Sequence, residues 1–278
     1  MTHGQLGRWG VCGPRSVLTV ERARRLERLG FSAVWEGGSP SAELDHVQAV
    51  LDATESITVA TGIVNVWQAD PRATAASFHR LEADHPDRFL LGIGIGHPEA
   101  TAAYRTPYQT LVDYLDILDA EGVPKQRRVL GALGPRVLRL AAERTAGAHP
   151  YLTTVEATRR ERSILGGAAL LAPEQRVCIA EDVRTAREIG RRSVEPYLGL
   201  RNYTNNLARL GFTEDDLRPP GSDRLIDALV VYGDRARVTA RLNEHIAAGA
   251  DHVALQLITP SPDDIDRGFD ELAASVLG

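Results

Sequence analysis

Residues able to do chemistry recur directly after short apolar runs of the sequence. A carboxylate or histidine there can act as a general acid or base, and a glycine lets a flat ligand approach the main chain. Each type also has a plain alternative: a tight turn for glycine, an ion pair for Glu36, and a hydrogen-bonding wall for His97. The candidates are Glu36, Asn65, Gly94, Gly96, His97, Gly134, His149, Tyr151 and Gln256. Glu36 and His97 are the predicted acid or base.

Two glycine-containing stretches differ in how well they suit a phosphate group. GIGIGH, residues 92–97, lacks the GxGxxG spacing of a dinucleotide fingerprint and does not follow the first strand. ALGPRVL, residues 132–138, suits phosphate better. Gly134 opens the turn, and Pro135 at a first helical position leaves neighbouring N–H groups free at the positive end of a helix. A helix N-terminus with nothing bound is the alternative.

Composition and spacing argue against several classes of protein. The net charge of −5, with both signs interspersed, offers no basic patch for nucleic acid and no polybasic segment for a membrane. The N-terminus has no apolar core of signal-peptide length, so we expect a soluble, cytoplasmic protein. Cys12 and Cys178 lie far apart, which favours reduced thiols. No metal-ligand spacing or nucleophile elbow is present, and Asp45 and His46, inside a helical pattern, are expected to face solvent.

Short apolar runs alternate with amphipathic helical stretches along the chain. Eight such pairs predict a single (β/α)₈ barrel over residues 1–278, with extra short helices between strands 7 and 8. The strands are nearly continuous apolar runs, as expected for strands buried on both faces. A doubly wound open sheet is the runner-up.

A barrel carries its active site at the carboxyl ends of its strands, so polar and aromatic residues there become candidates. Strand-end position alone suggests the residues of the substrate wall. They are Trp9, Cys12, Glu36, Trp67 and Tyr203.

Four stretches of the sequence resemble the bacterial luciferase-like monooxygenase superfamily, and most of all its branch that uses the deazaflavin coenzyme F420. They fall in the family's order, and the resemblance runs from about Leu6 to Ile258. It implies a (β/α)₈ barrel, a flavin or deazaflavin in its carboxyl-terminal mouth, and commonly a homodimer. The stretches are residues 30–38, 59–97, 130–152 and 201–217.

The resemblance also implies roles for particular residues. Gly62 and Ile63 would be joined by a cis peptide that backs the cofactor ring, and Asn65 would bond the polar edge of that ring. The segment that contains Gly94, Ile95, Gly96 and His97 would line the ring. Leu133 and Gly134, followed by Pro135, would hold the cofactor phosphate with backbone N–H groups. His149 and Tyr151 belong to the next loop of the site.

The sequence departs from the family's pattern at the second strand. Many deazaflavin enzymes carry an acidic residue and a histidine where this chain has Gly38 and Ser39. The proton donor is therefore in doubt. The predicted function is hydride transfer between F420 and a small organic substrate. The alternatives are an FMN-dependent monooxygenase of the same superfamily and a member that binds no cofactor.

Overall fold

The computed structural model describes residues 6–96 and 106–278, and its core is a parallel β-sheet surrounded by helices. The described residues contain eleven strands: β1 (Trp9–Pro14), β2 (Ala33–Gly37), β3 (Thr58–Thr61), β4 (Val64–Asn65), β5 (Phe89–Gly94), β6 (Arg128–Leu130), β7 (Gly147–Ala148), β8 (Leu170–Leu171), β9 (Glu174–Cys178), β10 (Val230–Tyr232) and β11 (Val253–Leu257).

Twelve α-helices follow or separate these strands in the described part of the chain. They are α1 (Val20–Leu29), α2 (Asp45–Ala53), α3 (Pro71–Asp84), α4 (Pro107–Ala120), α5 (Pro135–Arg144), α6 (Val155–Leu165), α7 (Val183–Val194), α8 (Arg201–Arg209), α9 (Glu214–Leu217), α10 (Asp223–Leu229), α11 (Arg235–Ala247) and α12 (Ile265–Val276).

The ends of the helices follow local sequence signals. Thr19 caps α1 by accepting a hydrogen bond from the Arg22 N–H, and Gly30 ends it at φ +97°, in the left-handed region that glycine adopts freely. Asp70 caps α3 directly before Pro71. No helix in the described residues is long and apolar enough to cross a membrane.

The strands run parallel, and the sheet curls so that its last strand lies beside its first. The order is β10-β9-β11-β1-β2-β3-β5-β6-β7-β8, and β4 pairs with β5. Trp9 pairs with Val253, and on the other side of β1 Gly10 pairs with Ala33. All carboxyl ends of the strands therefore meet at one side of the sheet. The predicted parallel α/β class is confirmed.

The structure differs from the prediction in the segment before the last strand. β10 was not predicted, and it pairs with β9 in the connection that was expected to hold only helices. β8 was not predicted either, because the predicted seventh strand starts at Gln175 and corresponds to β9; Pro173 separates the two segments. A proline has no N–H to donate to a ladder, which explains this separation.

Trp35 fills the centre of the sheet's concave side and joins two buried histidines. Its ring stacks on His149 with centroids 4.3 Å apart, and its Nε1 donates to His252 Nε2 at 2.9 Å. Small neighbours complete this layer, among them Ala60 and Ala254. A rigid aromatic layer thus lies beneath the carboxyl ends of the strands.

Candidate active site

A cavity of about 670 Å³ opens at the carboxyl ends of the strands. Its floor is made largely of main chain, because eight of its described lining residues are glycines that follow or end the strands. A flat ligand can therefore approach the backbone closely. The glycines are Gly13, Gly37, Gly38, Gly62, Gly94, Gly96, Gly131 and Gly134.

The peptide bond between Gly62 and Ile63 is cis, as the resemblance implies. Both residues line the cavity, and the Ile63 side chain packs where Gly94 and Gly131 leave room. A Cβ on Gly131 would lie 3.2 Å from Ile63 Cγ2. The glycines around the cis peptide thus make space for the Ile63 side chain as well as for a ligand.

Gly62 is also required by His149. A Cβ on Gly62 would lie 2.9 Å from His149 Nε2, closer than real Cβ contacts come. We expect Gly62→Ala to lower the free energy of unfolding by roughly 1–3 kcal/mol, the cost of overpacking a tight core. Chemical denaturation measures this effect. Gly167→Ala is the matched control, because nothing lies within 4 Å of a Cβ there, and an equal loss in both variants would contradict the steric explanation.

His149 is held in one protonation state. Its Nδ1 donates to the Ala172 carbonyl at 2.7 Å, since a carbonyl can only accept. Its Nε2 is buried and has no hydrogen-bond partner. Burial lowers the pKa of His149 to about 4, so the ring is neutral at physiological pH. This histidine is therefore a poor proton donor in the cavity wall.

Two other buried histidines, His245 and His252, have their pKa lowered to about 4 by the same cause. In the unfolded chain a histidine titrates near 6.5, so unfolding takes up protons below that pH. Above pH 6.5 each of the three histidines makes its full contribution to the free energy of unfolding. That contribution falls by roughly 3 kcal/mol as the pH falls to 4. We therefore expect the melting temperature to fall from pH 6.5 to 4.5, as measured by calorimetry.

Two buried carboxyls, Glu161 and Glu174, act in the opposite direction. Burial raises the pKa of Glu161 to about 8, so acidification from pH 8 favours the folded state through this group. Burial also raises the pKa of Glu174, yet three histidines outweigh two carboxyls between pH 6.5 and 4.5. A melting temperature that stays constant or rises over that range would show that the histidines are not buried as neutral rings.

The predicted phosphate helix, α5, begins at the rim of the cavity. Gly134 is its N-cap in extended backbone, and no side chain caps the first turn. The N–H groups of a first helical turn have no partner within the helix, and the helix dipole makes this end positive. Arg209 Nη2 lies 3.8 Å from where a Cβ on Gly134 would be. An anion here would meet both backbone donors and a guanidinium group.

The charges around the cavity also favour an anion. Arg201 and Arg209 line it, and none of its described lining residues is an aspartate or glutamate. In a chain of net charge −5 this is a local reversal of sign. Such a site attracts negatively charged ligands.

Aromatic side chains form the wall of the cavity that faces α8. Tyr151 and Tyr197 have ring centroids 5.4 Å apart, and Tyr203 lies 5.2 Å from Tyr197. Burial raises the pKa of Tyr151 and of Tyr203, so both phenols stay protonated. Burial likewise raises the pKa of Cys12, which lines the cavity as a free thiol.

The structure brings most of the sequence-predicted site residues to this one cavity. They are Cys12, Gly62, Ile63, Gly94, Ile95, Gly96, Leu133, Gly134, His149, Tyr151 and Tyr203, together with Gln256.

Four other predicted residues do not line the cavity. Trp9 begins β1 rather than ending it, so it lies buried at the amino-terminal side of the sheet. Asn65 Oδ1 accepts from the Trp67 N–H at 3.0 Å, which makes Asn65 the cap of the turn after β4. Trp67 is half-buried in that turn. Pro135 is exposed on the outer side of α5.

Glu36 faces a second, neighbouring cavity. It follows Trp35 in β2, and successive side chains of a strand point to opposite faces. Its Oε2 lies 3.1 Å from His46 Nδ1, and neither atom makes a hydrogen bond of good geometry. The prediction that His46 faces solvent is wrong, because its side chain is only 9% exposed.

His97, the other predicted acid or base, lies outside the described residues. Among the described residues, no group of three or more histidine, cysteine, aspartate or glutamate side chains could hold a metal ion.

Sequence reasoning placed Tyr203 of α8 in the site but missed polar residues of the same helix. Arg201, Asn205 and Arg209 all line the cavity and are spaced four residues apart, which places them on one face of the helix. That spacing of basic and amide side chains was the available signal. Tyr197 was missed because it lies in a short 3-10 turn before α8 and follows no strand.

Comparisons with known proteins concern the family and the fold of the chain. Residues 14–121 match the family model described as luciferase-like monooxygenase. No curated protein matches the chain. Solved structures do match, at identities that show the fold alone.

Three of these structures illustrate the likeness. An F420-dependent secondary alcohol dehydrogenase, solved with an F420-acetone adduct, is 14% identical with a TM-score of 0.77, over 100% of this chain and 99% of that one. The F420-dependent tetrahydromethanopterin reductase of Methanopyrus kandleri is 15% identical with a TM-score of 0.68, over 98% of each chain. The oxygenating constituent of 3,6-diketocamphane monooxygenase from Pseudomonas putida, solved with FMN, is 15% identical with a TM-score of 0.70, over 97% of this chain and 98% of that one.

Residues 14–121 thus match the luciferase-like monooxygenase family model, in agreement with the resemblance found in the sequence, and the chain as a whole is similar in fold to an F420-dependent dehydrogenase and to a monooxygenase solved with FMN.

Proposed function

We propose that this protein is an oxidoreductase that binds coenzyme F420 in the 670 Å³ cavity and transfers a hydride between the deazaflavin and a small organic substrate. The observation that carries the proposal is the uncapped N-terminus of α5 beside Arg209, at the rim of a glycine-floored cavity. These features fit a flat ring that ends in a phosphate. The bound cofactor would supply the redox chemistry.

The residues of the chain would orient the cofactor and exclude water. Leu133, Gly134 and the first turn that starts at Pro135 would hold the phosphate. His149 and Tyr151 would form part of the cavity wall. Asn65 would hold the turn after β4, and its side-chain amide packs against Gly96. Cys12 and Tyr203 would contact the substrate. The ring would lie on a floor made of Gly62, Ile63, Gly94, Ile95 and Gly96.

An FMN-dependent monooxygenase is the second candidate, because a structural neighbour was solved with FMN and the same helix end would serve either phosphate. Fluorescence titration of the purified protein with F420 and with FMN separates the two. Tight binding of F420 alone is expected, and tight binding of FMN alone would overturn the proposal. If neither binds, the cofactor-free alternative is favoured.

We further propose that the curled sheet is one (β/α)₈ barrel domain. The segment that contains β8 and β9 makes backbone hydrogen bonds on both of its sides. Ala172 N–H donates to Ala148 O of β7, and Ala254 N–H of β11 donates to Pro173 O. Counted as one strand, it would link β7 to β11. The homodimer and the cytoplasmic location are also proposals, which follow from the resemblance. Sedimentation of the purified protein tests the homodimer.

A further inference from the structure

A buried ion pair lies behind the cavity, and neither of its residues is among the described lining residues. Glu174 and Arg176 are each 1% exposed and lie two residues apart on β9, so they point to the same face. Arg176 Nη1 is 3.2 Å from Glu174 Oε1. Burying two charges is costly, and an apolar pair of similar volume is often as stable. Stability alone therefore does not account for this pair.

Arg176 reaches the cavity through Tyr151. Its Nη2 donates to the Tyr151 hydroxyl oxygen at 3.0 Å. A guanidinium group can only donate, so the hydroxyl accepts from Arg176 and must direct its own proton elsewhere. That proton is donated to Gln256 Oε1 at 2.9 Å, since an amide oxygen can only accept, and the Tyr197 hydroxyl, also 2.9 Å away, then donates to Tyr151. Arg176 and Tyr197 thus both donate to the Tyr151 hydroxyl and leave its single proton for Gln256.

The orientation of the Gln256 amide follows from this chain of donors. Gln256 Oε1 accepts the hydrogen bond from Tyr151. The polar groups that Gln256 can direct into the cavity are therefore the N–H groups of its amide. The rings of Tyr197 and Tyr203 lie beside this position and provide an apolar surface for the body of a ligand. No acidic side chain among the described lining residues competes for those N–H groups.

We propose that Gln256 is a specificity-determining residue that binds an acceptor oxygen of the substrate, such as a ketone, aldehyde or carboxylate, and that Arg176 is the positioning residue that keeps the amide in this orientation. The wall selects against ligands that present an ammonium group, because the amide has no free acceptor to give them. The inference names the substrate class of the proposed oxidoreductase and requires only that substrate binds in this cavity, with either cofactor.

The test compares two probes of similar shape, cyclohexanone and cyclohexylamine, whose affinities are measured by ligand-observed NMR without turnover. We expect the protein to bind the ketone at least about 10-fold more tightly than the amine, a difference of about one hydrogen bond. Gln256→Glu replaces the donor with an acceptor of the same shape and should reverse the preference. Gln256→Met has neither a donor nor an acceptor at this position, so it should bring the ratio of the ketone and amine affinities close to one.

A second comparison separates a positioning role for Arg176 from a structural one. Because Arg176→Met alone leaves a buried charge, the double variant Glu174→Gln/Arg176→Met is used, and circular dichroism confirms its fold. Its ketone preference should shrink, whereas Arg176→Lys, which still donates, should keep it. A preference that is absent in the unchanged protein, or unaltered by Gln256→Glu, overturns the proposal, as does failure of the ketone to bind. Ketone selectivity without cofactor binding would instead count against the proposed function alone.

Discussion

Replacing Gly134 by aspartate is expected to weaken F420 binding by at least about 100-fold while the protein stays folded. The aspartate side chain would cap α5, since Gly134 already has the extended backbone of an N-cap and a Cβ there meets only Arg209 Nη2 at 3.8 Å. Its carboxylate would occupy the positive end of the helix and repel the phosphate, and like charges a few ångströms apart near a surface cost several kcal/mol. Fluorescence titration measures the loss.

Gly134→Asn is the matched control for this variant. Asparagine caps a helix equally well and has the same shape, but it carries no charge, so it should weaken binding much less. The phosphate-free deazaflavin should bind similarly to the protein and to both variants. If Gly134→Asp bound F420 as tightly as the unchanged protein, the phosphate would have to lie elsewhere. Thermal denaturation checks that the melting temperature of neither variant falls.

Removing Arg176 is expected to have the largest effect on stability. Arg176→Met leaves the Glu174 carboxyl buried beside one backbone donor, the Leu152 N–H at 3.0 Å. Breaking one side of a buried pair costs roughly 3–5 kcal/mol. Urea denaturation of the single variant and of Glu174→Gln/Arg176→Met measures this cost. The double variant should recover most of the loss, because neither buried charge remains.

The pH dependence of the single variant provides an independent check. Burial raises the pKa of Glu174, and Arg176 and the Leu152 N–H oppose that rise. Without Arg176 the folded-state pKa should rise further, so the penalty is greatest above that pKa and shrinks as the pH falls toward 5. Arg218→Met, which removes an exposed pair with Asp215, is the control and should cost less than about 1 kcal/mol. Equal penalties in the two variants would contradict the argument.

Local signals in the sequence were sufficient for the regular elements. The heptapeptide that contains Gly134 and Pro135 predicted the start of α5, and Gly30 predicted the end of α1, because capping and backbone freedom depend on a few neighbouring residues. The parallel class followed from the alternation of apolar runs and amphipathic stretches. The short strand β10 escaped prediction because three residues, Val230–Tyr232, carry too little periodicity.

Contacts between distant segments decided the roles of individual residues. Glu36 follows a strand as an active-site residue would, yet the alternation of β2 turns it toward His46, and the register of β1 leaves Trp9 at the opposite side of the sheet. Hydrogen bonds connect Arg176 to Tyr151 and Tyr151 to Gln256, and these residues come from segments separated by up to 105 residues along the chain. Spacing along the chain cannot show such proximity, because it depends on how the sheet curls and which face each strand presents. The amino-acid sequence therefore sufficed for most of the elements and for the family resemblance, whereas the tertiary structure alone decided which side chains face the cavity and which of their atoms remain available to a ligand.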